Sequence, residues 1–142
     1  MIKPVAILEM RLDAAGLRAE ATDPAAGAVV VFEGCVRNHH AGMSVESLAF
    51  EAFVPMAVAE LERLRAEAME RFALLRCLIH HRIGPVPLNE AAVVIVTASA
   101  HRQEAFEASI WLMDRIKERV PIWKRERYTE GGVAWVEGTE RR

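Results

Sequence analysis

Apolar positions recur at helical spacing in two windows and at alternating spacing in several others, and these rhythms set the expected elements. In Met56–Phe72, Ala57, Leu61, Leu64, Ala68 and Phe72 form an inward stripe, with Pro55 suited to the first turn. In Glu104–Arg119, an advance of about 100° per residue gathers Phe106, Ser109, Ile110, Leu112, Met113, Ile116 and Val120 on one face. Glu104, Glu107, Asp114, Arg115 and Glu118 gather opposite, which gives the solvent a face of its own. Lys117 projects from the middle of the apolar face, so its ammonium must run along apolar neighbours to water or enter a pocket that wants a cation. Pro121 ends this helix, because the residue before a proline is pushed out of the helical region.

The alternating and continuous apolar runs predict strands at Val5–Leu8, Gly27–Val36, Ser44–Phe53, Leu74–Ile83 and Ala91–Ala98. Gly34 inside its run marks a bulge or a close backbone approach. Leu48, Phe50 and Ala52 share one face, and the Ser44–Phe53 strand is expected to lie antiparallel to Gly27–Val36. Between them, Asn38–Ser44 is expected to be a mobile loop. The prolines of Gly84-Pro-Val-Pro-Leu-Asn are expected to keep that connection out of any ladder. Asp13 can cap a short helix, Thr22–Gly27 reads as a loop, and Gly131-Gly132 between Ile122–Arg127 and Val133–Glu137 reads as a hairpin. Gly138–Arg142 should fray. Strands and helices interleave without regular βαβ spacing, which predicts an α+β fold: a mainly antiparallel sheet with two long helices, in one domain spanning residues 1–142.

Composition narrows the class of function. A 142-residue chain that is 52% hydrophobic can bury one core. A net charge of −2 and pI near 6.2 exclude a general nucleic-acid or membrane-surface binder, so any basic cluster is local. No apolar run approaches a membrane span and the N-terminus lacks a signal-peptide layout, which leads to the expectation of a cytoplasmic protein. Cys35 and Cys77 are far apart, with no Cys-x-x-Cys and no histidine at zinc spacing, so both are expected as reduced thiols and no metal or cofactor is expected.

Cations cluster at strand and helix ends: Arg37, His101-Arg102, Lys117 and Lys124-Arg125. If they converge they form an anion pocket, and the free backbone N–H groups of the helix after His101 favour a phosphate or carboxylate there. Arginine offers a planar fork for phosphate, whereas a desolvated lysine can also move protons. Each has a plain structural alternative: Arg37 paired with a surface acid, His101 as a helix cap, Lys117 snorkelling, Lys124 solvated on a strand. Cys35 beside Arg37 could be a thiolate nucleophile, but a small buried thiol is the favoured reading. His80 and His81 face opposite ways on a strand and cannot easily share a metal.

Gly34-Cys-Val-Arg-Asn-His, Leu48-Ala-Phe-Glu-Ala-Phe-Val-Pro-Met-Ala, His81-Arg-Ile-Gly, Ser99-Ala-His-Arg-Gln-Glu-Ala-Phe, Lys117…Pro121-Ile-Trp-Lys-Arg-Glu and Gly132-Val-Ala-Trp-Val occur in that order. Together they resemble the catalytic, large subunit family of molybdopterin synthase, from about Gly27 to Glu137. The resemblance implies an α/β hammerhead fold and a sulfurtransferase of molybdenum cofactor biosynthesis. It implies conversion of cyclic pyranopterin monophosphate to the molybdopterin dithiolene, with sulfur carried as a thiocarboxylate on the C-terminal glycine of a small ubiquitin-like subunit. It also implies a homodimer within a heterotetramer. Carried onto this chain, the pocket would comprise Cys35, Val36, Arg37, His101, Arg102, Lys117, Lys124, Arg125 and Glu126, with Lys117 and Lys124 catalytic. Two stretches depart from the family pattern: Phe50-Glu-Ala-Phe, whose aromatic positions are often tyrosine, and Asn89-Glu90, where a glycine-acid turn is common. A second reading of the same cations is a non-catalytic module that binds a ubiquitin-like tail or a phosphorylated ligand.

Overall fold

The computed structural model describes residues 2–40, 43–128 and 133–137, with the backbone course alone at 39–40, 43–46 and 134–137. In chain order the elements are β1 (Val5–Leu8), α1 (Ala14–Glu20), β2 (Ala28–Cys35), β3 (His39–His40), β4 (Met43–Ala52), α2 (Val54–Arg71), β5 (Arg76–Arg82), β6 (Gly84–Val86), β7 (Ala91–Ser99), α3 (Arg102–Arg119), β8 (Ile122–Tyr128) and β9 (Val133–Glu137). The glycine-pair turn at 131–132 and the tail at 138–142 lie outside the described residues, as does part of the 38–44 loop.

Two sheets organise these elements. The first runs β1-β5-β7-β2, with β1 parallel to β5 and the other pairs antiparallel. Its central strands read as continuous apolar runs because both faces are covered. On one face, Leu61 and Leu64 of α2 and Ala108 and Leu112 of α3 pack with Ile79 and Ile95; on the other, Leu17 of α1 packs with Leu78, Val94 and Val96. The Asp13 carboxylate caps α1, accepting from the Gly16 N–H at 2.9 Å. The second sheet runs β3-β4-β8-β9, with β6 also paired to β4. The α+β class with a mainly antiparallel sheet and two long helices is the observed one, each long helix having 18 residues.

Three local expectations need correction. β4 pairs with β3, β6 and β8 rather than with β2. The β2–β7 register shifts at Gly34/Cys35, where Ala92 of β7 is the extra residue, and Val36 is then clamped to the connection before β7: its N–H donates to the Glu90 carbonyl at 3.0 Å, and its carbonyl accepts from the Asn89 N–H at 2.8 Å. That clamp sends the chain into the second sheet, where Val36 packs with Leu48, Val86 and Phe50. The 38–44 segment is not wholly loop, since His39 faces Ser44 and His40 faces Met43 in a short ladder. Gly84–Val86 also joins a ladder despite Pro85, which a proline permits when only one edge of its strand is paired. Asn89 takes φ +72°, a left-handed turn that asparagine tolerates better than most side chains.

The inward face of α3 is rotated from expectation. Ala105, Ala108, Ser109, Leu112 and Ile116 are buried, whereas Phe106 and Ile110 are 55% and 64% exposed. The alanines decide this, because small side chains let the helix lie close against β7 and β2 while the bulkier residues turn outward. Lys117 keeps a half-buried place beside Ile116.

Candidate functional site

Each expected site residue sits at one or the other end of α3, and the sheet explains which. Ala28 at the start of β2 faces Ser99 at the end of β7, and Cys35 faces Ala91 at the opposite end. The two-residue link from β7 into α3 reverses the chain, so α3 runs back toward the end where β2 finishes. His101 and Arg102 therefore mark one end of the molecule, while Arg37, Lys117 and the start of β8 share the other. Fifteen helical residues separate Arg102 from Lys117, about 22 Å along the axis. No small substrate can touch both within one chain.

At the first end, His101 is the N-cap of α3, and its side chain makes no capping bond. The buried Ser99 hydroxyl donates to the His101 carbonyl at 2.5 Å and fixes the helix entry. His101 and Arg102 are exposed, and with Gly27, Ala100 and Gln103 they line a hollow of about 360 Å³. Glycine is required at position 27, where a Cβ would collide with the Ala100 carbonyl oxygen. Backbone N–H groups of the first helical turn and two cationic side chains thus border the same space, a setting for a phosphate or carboxylate.

At the second end, Lys117 lines a larger hollow of about 420 Å³ with Met56, Glu60, Arg63, Arg119, Pro121 and Trp123 among its walls. The arginines there are already engaged. Arg119 reaches Glu60 at 2.8 Å and Glu67 at 3.4 Å, and Arg63 reaches Glu60 at 2.9 Å. Burial resists ionisation of Glu60, but the bonds from Arg63 and Arg119 outweigh it and hold the carboxyl below its usual value. The same bond from Glu60 raises the Arg119 guanidinium above its own, against a smaller burial penalty. Sequence reasoning did not single out Glu60 and Arg63, although their i,i+3 spacing on a helix signals the pair.

Lys124 is not among the lining residues of that hollow. It lies on β8 with its side chain 17% exposed, opposite Phe50 of β4, and its Nζ is 3.9 Å from a carboxylate oxygen of Glu126. Glu126 is buried, while Arg125, one residue away on the strand, is exposed. Behind Lys124, Phe50 meets the His81 ring edge-on at 5.3 Å. His81 is buried and its Nδ1 pairs with the Arg82 carbonyl at 2.9 Å; desolvation pushes its pKa down to about 4, against a smaller opposing effect of that bond. Arg37 is exposed, and Val36 is covered by the packing that joins the sheets.

Cys35 is exposed, which corrects the expectation of a buried thiol; it shares the outward face of β2 with Val31 and Glu33, alternating with the half-buried Phe32 and Gly34. Cys77 is the buried one, its thiol pushed up to about 12 by desolvation. Both are free. Among the described residues, no three His, Cys, Asp or Glu side chains are grouped to hold a metal ion, and no helix is long and apolar enough to cross a membrane.

Comparison with known proteins places this arrangement. A family model described as MoaE protein matches residues 7–119. The molybdopterin synthase catalytic subunit of Pyrococcus abyssi is 46% identical over 112 residues, covering 79% of this chain and 75% of that protein. Its counterpart in Thermoplasma volcanium is 47% identical over 112 residues, covering 79% and 82%. A crystal structure of molybdopterin synthase from Staphylococcus aureus superposes with a TM-score of 0.88 at 36% identity, covering 95% of this chain and 98% of that one. With four-fifths of its length matched at this identity and nearly all of it superposed, the chain belongs to the MoaE family, whose members here are catalytic subunits of molybdopterin synthase.

Proposed function

We propose that this chain is the catalytic subunit of a molybdopterin synthase, transferring sulfur from the C-terminal thiocarboxylate of a small ubiquitin-like subunit to cyclic pyranopterin monophosphate in the cytoplasm. The observation that carries the reading is the family match, which spans Arg37, His101, Arg102 and Lys117 in one stretch. The geometry supports a division of labour. His101 and Arg102, exposed at a helix N-terminus, suit the substrate's phosphate. Lys117 and Lys124, half-buried on apolar surroundings, suit the charged intermediates of acyl and sulfur transfer, which they stabilise or to which they move protons. Arg37 and Arg125 add fixed positive charge at the lysine end, and Cys35 and Val36 form the strand end that carries Arg37.

The separation of about 22 Å along α3 calls for a second copy. In the proposed homodimer, the phosphate-binding end of one protomer lies against the lysine end of its partner, and a small subunit docks at each outer end of the resulting heterotetramer. Mixing copies tests this directly. At pterin concentrations well below KM, a protomer bearing Lys117→Ala is inactive as a homodimer and one bearing Arg102→Ala is weak. In the mixed dimer, one composite site receives both intact side chains, so synthase activity with the thiocarboxylated small subunit should return to roughly half per dimer. No recovery in verified mixed dimers would mean that Lys117 and Arg102 do not meet across the interface. A module that only binds the tail or a phosphate would yield no dithiolene product in any of these mixtures.

A further inference from the structure

Glu126 is out of place as a substrate ligand. It is 3% exposed, and β8 sets it opposite Leu48 of β4 and Ala134 of β9, so a ligand in solution cannot reach its carboxylate. A charge buried on a sheet beside such neighbours is costly unless it is held by specific partners. Two partners lie on the same face of β8, at the two-residue spacing that a strand imposes. Tyr128 donates its phenol O–H to Oε1 of Glu126 at 2.8 Å, and the Lys124 Nζ stands 3.9 Å from Oε2. Each carboxylate oxygen therefore has a different task.

We propose that Tyr128 is a positioning residue for Lys124, acting through Glu126. The phenol fixes the rotation of the carboxylate, which leaves Oε2 aimed along the strand at the ammonium. At 3.9 Å the carboxylate attracts the charge without taking up one of its N–H donors in a short bond, so the donors remain for a reacting group. Phe50, opposite Lys124 and braced by His81, limits where the lysine stem can go. The side chain is thus restrained from two directions, by a rigid aromatic wall and by a carboxylate that cannot turn. Preorganisation of this kind lowers the barrier by avoiding reorientation during the reaction. Tyr128 is the chain's only tyrosine, so its removal takes away this one phenol and no other.

The inference rests on the proposed role of Lys124 in sulfur transfer, and the test separates the two. The assembled synthase, with its thiocarboxylated small subunit and cyclic pyranopterin monophosphate, is assayed as wild type, Tyr128→Phe, Glu126→Gln, the double variant and Lys124→Ala. With every variant assayed well below its thermal midpoint, Tyr128→Phe should lower kcat about tenfold, as expected for loss of a hydrogen bond to a charged group, with KM for the pterin unchanged and a lower midpoint, because the buried carboxylate loses a partner. In the Glu126→Gln background the same substitution should cost nothing further, because its route to Lys124 is already cut. Unchanged kcat in Tyr128→Phe, a rise in KM for the pterin with kcat retained, or additive losses in the double variant would each overturn the positioning role. Full activity in Lys124→Ala would instead remove the reading beneath it, whatever Tyr128→Phe does.

Discussion

At the N-terminal end of α3, His101 and Arg102 stand exposed beside a hollow bordered by backbone, whereas at the C-terminal end Arg63 and Arg119 are tied to carboxylates and the lysines are half-buried. Exposed cations attract a solvated anion and release it readily, since water and salt screen them. Half-buried cations act in a lower dielectric, where a charge forming in a reaction is felt more strongly. By neutralising the neighbouring arginines, Glu60 and Glu67 leave Lys117 as the cation of that hollow not already engaged with a carboxylate among the described residues. On the proposed function, the two ends divide capture from chemistry.

Kinetics can break this division outright. Lys117→Ala should lower kcat by about three orders of magnitude with little change in KM, the range for losing a group that handles protons or charge in the transition state. Arg102→Ala should instead raise KM for the pterin about tenfold and leave kcat within a few-fold, the pattern of lost ground-state binding. Steady-state assays of the assembled enzyme give both numbers. If the two substitutions produced the same pattern, the ends of α3 would not differ in task.

The histidines sharpen the contrast. His81, behind Phe50 at the lysine end, is neutral when folded because burial holds its pKa near 4, against 6.5 for the free side chain. Between those values the unfolded chain takes up a proton that the folded chain does not, so stability is lost as pH falls from 6.5 toward 4. The loss attributable to this group is on the order of 3 kcal/mol. His81→Gln should flatten that part of the pH dependence, seen by denaturant unfolding at about pH 7 and about pH 4. His101, by contrast, lies exposed at the other end of α3. An identical acid loss in wild type and His81→Gln would mean that His81 is not held neutral by the fold.

Much of this arrangement was legible in the chain. The α2 stripe of Ala57, Leu61, Leu64 and Ala68 is buried as its period implies, and Pro121 stops α3 at Val120, whose ψ of 128° is already extended. Gly34, which marks a bulge or a close approach inside an apolar strand, sits at a register shift, and a Cβ there would meet the Val93 side chain at 2.7 Å. What the pattern could not supply is pairing between distant strands. Leu48, Phe50 and Ala52 specify a face but not a neighbour, so β4 was assigned to β2 although the Val36 clamp and β8 claim the chain on either side. Periodicity also misjudged α3, since it weights Phe106 and Ile110 above alanines that pack closer. For the expected site, the motifs name residues but not their distances, and the length of α3 separates His101-Arg102 from Lys117. The carboxylates that engage Arg119, Glu60 and Glu67, come from α2, a helix remote from it in sequence.

The smallest effect concerns those engaged arginines. Arg119 links the end of α3 to Glu60 and Glu67 on α2, yet it is more than a third exposed, so solvent screens most of the attraction. Arg119→Ala should therefore cost only about 0.5 kcal/mol of stability at neutral pH and low salt. The sign of its pH dependence follows from Glu60, whose folded pKa lies below the ordinary value of 4.5. Its contribution is present above that unfolded value and is lost as pH falls through the lower folded one, so wild type and variant should converge in acid, and also at high salt. The kinetic consequence is separate. Freed from Arg119, Glu60 would stand in the same hollow as Lys117 with one cation fewer to hold it, and could pair with the lysine instead. A drop in kcat larger than the small stability change would show that Arg119 keeps this carboxylate away from Lys117; unchanged kcat would make the ion-pair network a brace between helices and nothing more.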